Sequence, residues 1–191
     1  FGLTEHIKDV ARRFAAAGYV ALAVDLLSRD GGTARFAEVA DIRAALQAAP
    51  PAQFVDDFRA GLRYLQAQSN VYAERIGMTG FCFGGGVTWR CATQIPELKA
   101  VVPFYGPNPP LEDVPNIRAA VLALYGENDP RIMAGVPAID AAMRQHGKIY
   151  EKVVYAGAEH GFHNDTGARY HPEAAADAWK RMLAWFGKYL Q

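Results

Sequence analysis

Cys82 sits in Gly80-Phe81-Cys82-Phe83-Gly84, where an apolar, strand-like run from Ile76 meets a helix-compatible stretch. A reactive side chain flanked by glycines two positions away on each side is the pattern of a nucleophile elbow, a sharp strand-to-helix turn. The apex residue of such a turn is held in a strained backbone conformation, and the packed strand and helix leave little room for neighbouring side chains. Serine is the usual occupant of the apex. A cysteine there reacts as its thiolate, which the positive end of the following helix favours. Asp129 follows the apolar run Val121–Tyr125, in the loop Gly126-Glu127-Asn128-Asp129-Pro130. His160 follows a third run, in Ala158-Glu159-His160-Gly161-Phe162. Nucleophile, acid and histidine in that chain order form the triad arrangement of strand–turn–helix hydrolases. In such a group His160 takes the thiol proton, or stabilises the thiolate, and then protonates the leaving group. Asp129 holds the imidazole tautomer, and the backbone N–H of Phe83 donates to the oxyanion. The expected chemistry is hydrolytic acyl transfer through a cysteine nucleophile.

Other residues compete for these roles. His163 shares the loop of His160, and Glu127 could orient the histidine instead of Asp129. Asp25 also ends an apolar run; the plainer reading is a carboxylate that fixes its own loop and pairs with Arg29. Cys91 falls within the elbow helix and reads as packing. His6, His146 and His171 read as surface residues in or beside helices. Gly84-Gly85-Gly86 lacks the Gly-Lys-Ser/Thr or Gly-x-Gly-x-x-Gly context of a phosphate loop, so close helix–strand packing explains it better.

The elements that must position these residues alternate along the chain. Thr4 caps a helix with the stripe Ile7, Val10, Ala11 and Phe14, which Gly18 stops. Tyr19–Val24 reads as a buried strand. Helices follow from Phe36 to Ala48 and, after Pro50-Pro51, along the stripe Phe54, Phe58, Leu62 and Leu65. Next come the elbow strand Ile76–Phe81, its helix from Phe83 to about Thr93, and strands Leu98–Tyr105, Ala119–Tyr125 and Lys148–Tyr155. A helix from about Pro137 to Gln145 precedes the last strand. A final helix starts at Pro172 and carries Ala175, Trp179, Met182 and Phe186. Near-continuous apolar strands alternating with helices predict a mostly parallel sheet covered on both faces. The reading is one three-layer α/β domain over residues 1–191, with ligands bound at the carboxyl ends of the strands.

Composition narrows the partners. Twenty Lys and Arg balance twenty Asp and Glu in the 191 residues, which predicts neither a nucleic-acid surface nor a polybasic membrane patch. No apolar run approaches the roughly 20 residues that span a bilayer. Two cysteines make no disulfide framework, and no metal-ligand spacing accompanies them. A thiol at an elbow fits a reducing, cytoplasmic setting. The chain opens at Phe1-Gly2-Leu3 without an initiator Met, which reads as a cut N-terminus, and the cut would remove any targeting segment.

Together these stretches resemble the dienelactone hydrolase family, including its carboxymethylenebutenolidase-like members. The resemblance runs over nearly the whole chain. It is carried by Phe1-Gly2-Leu3, by Gly18–Leu26, by Gly80-Phe81-Cys82-Phe83-Gly84-Gly85, by Tyr125-Gly126-Glu127-Asn128-Asp129 and by His160-Gly161-Phe162. It implies an α/β-hydrolase fold, a Cys82–Asp129–His160 triad, no metal or organic cofactor, and a small-molecule ester or lactone substrate such as an enol-lactone. It also implies a glutamate and a second oxyanion donor just before Phe1, and a central strand leading into it. N-terminal strands are therefore expected to be missing from the chain as given. The family's dienelactone hydrolase holds its substrate carboxylate with an arginine shortly after the histidine. Here Asn164 and Asp165 occupy that region and Arg169 comes later, which separates this chain from dienelactone as substrate. A thioester or peptide hydrolase on the same fold, or a non-catalytic thiol redox or binding protein, are the alternative readings.

Overall fold

The computed structural model describes residues Gly2–Gln191; Phe1, the first residue of the resemblance, lies outside them. The chain divides into two compact units, Phe1–Ala73 and Glu74–Gln191.

In the first unit, helix α1 (Glu5–Ala16) begins where the Thr4 side chain accepts the Ile7 N–H. It ends at Gly18 (φ 90°), where the Tyr19 N–H reaches back to the Phe14 carbonyl and the two rings meet edge to face at 5.9 Å. That is a Schellman stop with its hydrophobic contact. His6, expected at the surface, is buried on the inner face of α1 together with Val10 and Phe14. The helical period places position 6 on the same stripe as 10 and 14. Helix α2 (Val39–Ala48) starts three residues later than expected. Helix α3 (Pro51–Gln66) opens on Pro51, whose missing N–H costs nothing in a first turn.

Tyr19–Val24 carries no regular secondary structure and forms no ladder among the described residues, and Val20 and Leu22 are 49% and 40% exposed. The expected buried strand is therefore corrected. Apolar, β-branched composition produces extended backbone, whereas a strand also needs a neighbour to accept its hydrogen bonds. Leu22 and Val24 instead pack beside Gly61 of α3, 3.2 Å from where a Cβ would stand.

The second unit holds a four-stranded, all-parallel sheet in the order β1 (Gly77–Phe81), β2 (Ala100–Phe104), β3 (Ala120–Asn128) and β4 (Tyr150–Glu159). Helix α4 (Phe83–Gln94) links β1 to β2, and α5 (Pro130–Met133) with α6 (Val136–Gln145) links β3 to β4. Helix α7 (Pro172–Tyr189) closes the chain. Residues paired in a parallel register share a face, so the two coats can be read from side-chain partners. Gly80 faces Thr88 of α4, while Tyr150 and Lys152 both reach Asp140 of α6. On the opposite face Gly77 meets Phe186 of α7 and Tyr155 donates to Asp177 of the same helix. The sheet is thus sandwiched between α4 with α6 and α7. Strands β2 and β3 form its buried centre, and every side chain of β2 is buried.

Two strands run further than composition suggested. β3 reaches Asn128 and β4 reaches Glu159, because the ladder resumes after an irregularity between Gly126 and Asn128 with the pair Asn128↔Glu159. Gly126 is obligatory there, since a Cβ would stand 2.6 Å from the Ala158 carbonyl oxygen. The extra ladder brings the ends of β3 and β4, and so Asp129 and His160, side by side.

Candidate active site

Cys82 follows β1 and caps α4 with φ 56° and ψ −116°, a conformation costing on the order of 1–3 kcal/mol for a residue with a Cβ. The turn is held from several sides. The Cys82 N–H donates to the Phe104 carbonyl of β2 at 3.1 Å, and the Cys82 carbonyl accepts from Gly85 and Gly86. A Cβ on Gly80 would lie 2.2 Å from the Gly84 carbonyl oxygen, so strand and helix touch through that glycine. Gly85 packs as tightly on the Phe104 carbonyl and Gly106, and Gly86 on Pro107. Gly84 differs from the expectation: a Cβ there meets no atom within 4 Å. Steric need lies at positions 80, 85 and 86.

His160 lies directly beyond β4, with its Nε2 2.9 Å from the Cys82 Sγ and its Nδ1 2.5 Å from the Asp129 Oδ2. Asp129, 4% exposed, also accepts the Ile132 N–H at 3.4 Å while capping the short helix α5. All three expected residues therefore converge at the carboxyl ends of β1, β3 and β4. Burial raises the thiol pKa of Cys82, but the hydrogen bond and charge of His160, with the Phe83 backbone N–H, outweigh it and lower the thiol below its ordinary value. The contact with Cys82 is the main cause that raises the His160 pKa, with Asp129 adding to it against burial. Both shifts favour a thiolate beside an imidazolium. A thiolate held between a helix N-terminus and an imidazolium, with a backbone N–H alongside, can attack an electrophilic carbon and shuttle one proton.

The competing residues are elsewhere. His163, 1% exposed, stacks on Phe81 (5.1 Å, 28°) and abuts Phe104 and Trp179, inside an aromatic cluster. Glu127 accepts the Gly157 N–H at 3.0 Å and so braces the chain before His160 without touching the ring. Asp25 does fix its own loop, accepting from Leu27 and Thr33. Its expected partner Arg29 instead pairs with Asp57 at 2.5 Å, because the helix α3 carboxylate is the one within the reach of its guanidinium. Cys91 is buried in α4. His146 is exposed, whereas His171 is half-buried and caps α7, its Nδ1 accepting the Ala174 N–H.

Asn164 is committed to its own turn, accepting from the backbone and hydroxyl of Thr166. Arg169 is exposed, and its guanidinium comes within 3.8 Å of where a Cβ would stand on Gly161. Among the described residues no group of three His, Cys, Asp or Glu is arranged to hold a metal ion, and no helix is long and apolar enough to cross a membrane. One residue went unnoticed in the sequence: Tyr105, buried against the His160 ring at 5.1 Å with φ 35°. Its trace was the Tyr-Gly that ends both the β2 and β3 runs.

Comparison with known proteins agrees with this architecture. A protein of Methylorubrum extorquens, provisionally named carboxymethylenebutenolidase, is 37% identical over 99% of this chain and 69% of its own. One of Escherichia coli K12 with the same provisional name is 35% identical over 99% of this chain and 74% of its own. A crystal structure from Klebsiella pneumoniae, provisionally described as a dienelactone hydrolase, superposes with a TM-score of 0.90 at 36% identity, covering 99% of this chain and 83% of that one. A dienelactone hydrolase-like promiscuous phosphotriesterase from metagenomic libraries follows at 0.88 and 28%, covering 99% and 82%. The model of the dienelactone hydrolase family matches residues 1–190. The chain belongs to the dienelactone hydrolase family, a family of carboxylic ester hydrolases.

Proposed function

We propose that the protein hydrolyses small ester or lactone substrates through a thioester acyl-enzyme on Cys82. The observation that carries this reading is one imidazole contacting both partners, Sγ at 2.9 Å and the Asp129 carboxylate at 2.5 Å. The Cys82 thiolate attacks the carbonyl carbon, and the electron pair moves to the carbonyl oxygen beside the Phe83 N–H. Such a donor is worth about 2.7–4 kcal/mol of transition-state stabilisation. As the tetrahedral centre collapses, the C–O bond breaks and the His160 imidazolium protonates the departing oxygen; in a lactone that oxygen stays tethered. His160, now neutral, takes a proton from water, whose oxygen attacks the thioester carbon; the C–S bond breaks, the acid leaves, and the Cys82 thiolate is restored beside the imidazolium. Asp129 keeps the Nδ1 proton in place throughout, so that Nε2 exchanges protons with the reacting atoms.

Arg169, beside the His160–Gly161 turn, adds positive charge that reaches the buried Tyr105. The test is turnover of a short activated aryl ester, with neutral and carboxylate-bearing acyl groups compared. Cys82→Ala is expected to abolish turnover, and mass spectrometry of the intact enzyme during turnover is expected to find the acyl adduct on Cys82. Full activity of Cys82→Ala would sink the mechanism.

A further inference from the structure

Tyr105 follows β2 directly and, among the described residues, is one of two non-glycine residues with a positive φ, 35°, beside Cys82 at 56°. Bulky residues rarely adopt that region, and where they do the surroundings must enforce it. Here the surroundings are explicit. The Tyr105 N–H donates to the Leu124 carbonyl of β3 at 2.7 Å, and Gly106 is wedged against Gly85 and Gly86 of the elbow helix. The ring is 2% exposed and lies between Phe162, at 5.3 Å edge to face, and the His160 imidazole, at 5.1 Å. The backbone of His163 meets the hydroxyl.

We propose that Tyr105 is a positioning residue for His160, its strained backbone aiming a rigid ring that holds the imidazole between Cys82 and Asp129. The proposal rests on the catalytic reading of those three residues. Asp129 and Cys82 fix the two ring nitrogens, but neither limits tilt of the ring about the line joining them. The Tyr105 ring, packed 5.1 Å from the imidazole and tilted 60° to it, does. The groups that set the charge on His160 are Cys82 and Asp129, with Arg169 acting on Tyr105 itself. The hydroxyl is turned to the His163 backbone, so the ring and not the oxygen does the positioning.

The experiment compares Tyr105→Phe and Tyr105→Leu in the intact protein, reading ester turnover and the pH profile of Cys82 alkylation by iodoacetamide. Tyr105→Phe keeps the ring and is expected to preserve both. Tyr105→Leu is expected to lower kcat by roughly 10- to 100-fold, with KM little changed, because about 1 Å of misplacement costs on that order. Its alkylation profile is expected to move up in pH toward that of a free thiol, which a loss of packing away from the site would not produce. If Tyr105→Leu does not fold, Tyr105→Asn, which tolerates positive φ, replaces it. Folded ring-less variants with an unshifted profile, or a shifted profile in Tyr105→Phe, would overturn the proposal. His160→Asn separates the two ideas. If it leaves the alkylation profile unmoved, the Cys82–His160 pairing itself is wrong; if it shifts the profile while the ring-less variants do not, only the role of Tyr105 falls.

Discussion

Gly80 and Gly84 flank the nucleophile symmetrically in sequence, yet the structure predicts opposite responses to an added methyl group. On Gly80 a Cβ would stand 2.2 Å from the Gly84 carbonyl oxygen and 2.5 Å from both the Gly84 carbonyl carbon and the Thr88 hydroxyl. Two of those three atoms are backbone, so rotating the Thr88 side chain away would not relieve the clash. Ordinary contact begins near 3.4 Å, and reaching it means parting β1 and α4 by about 1.2 Å at the point that carries Cys82. Overpacking of this kind costs about 1–3 kcal/mol of stability. Misplacing a reacting atom by about 1 Å costs roughly 100-fold in rate. On Gly84 a Cβ meets nothing within 4 Å, and alanine is favoured over glycine in a helix by about 1 kcal/mol. Gly80→Ala is therefore expected to lower the unfolding free energy by about 1–3 kcal/mol and ester turnover by about two orders of magnitude. Gly84→Ala is expected to keep or raise stability. Urea unfolding and aryl-ester kinetics on both variants provide the check. If Gly80→Ala matched the parent in stability and rate, or if Gly84→Ala were the less stable of the two, the elbow packing described here would be wrong.

Further outcomes follow from the same contacts. Asp129→Asn is expected to reduce kcat by up to about 10⁴-fold, because an amide cannot hold the Nδ1 tautomer, whereas Glu127→Ala should cost under about tenfold, its bond to Gly157 being exposed; steady-state kinetics on the pair would reverse the assignment of the acid if the order were inverted. Cys82 alkylation in the parent should begin at a pH below that of an ordinary thiol, since His160 lowers the thiol pKa, and His160→Asn should move the onset upward; an unchanged onset argues against the ion pair. Asp140 accepts the Tyr150 hydroxyl at 2.8 Å and pairs with Lys152 and Arg144, tying α6 to β4. Asp140→Ala should lower stability by about 1–3 kcal/mol with the ester kcat unchanged, and a loss of activity in the folded variant would show that this network reaches the active site.

Where local patterns sufficed, the sequence could be read. Thr4, Gly18 and Pro51 mark helix ends because a cap, a positive φ and a missing N–H act over one turn. The elbow was legible for the same reason, with its strand, turn and helix within a dozen residues. The stretch Tyr19–Val24 was misread as a strand because its composition speaks for extended backbone, while pairing depends on chain far away. The reach of β4 to Glu159 was missed because it follows from β3 extending opposite it. His6 and His171 escaped because a helix stripe and a cap were assigned from apolar and hydroxyl residues alone.

The amino-acid sequence by itself determined the reactive types and their order, Cys82, Asp129, His160, and the α/β alternation that carries them to strand ends. The family resemblance implied His160 rather than His163; tertiary structure supplied the contacts, with His160 at the thiol and His163, three residues on, stacked on Phe81. Tertiary structure likewise showed how the two acids divide, Asp129 at the second nitrogen and Glu127 on the Gly157 N–H. It alone placed Tyr105 against the imidazole. The physical reason is range. Capping, turn strain and helical period act between residues a few positions apart, whereas the Cys82–His160 and Asp129–His160 contacts join residues 78 and 31 apart. Contacts of that separation exist only once the ladder between β3 and β4 has set its register.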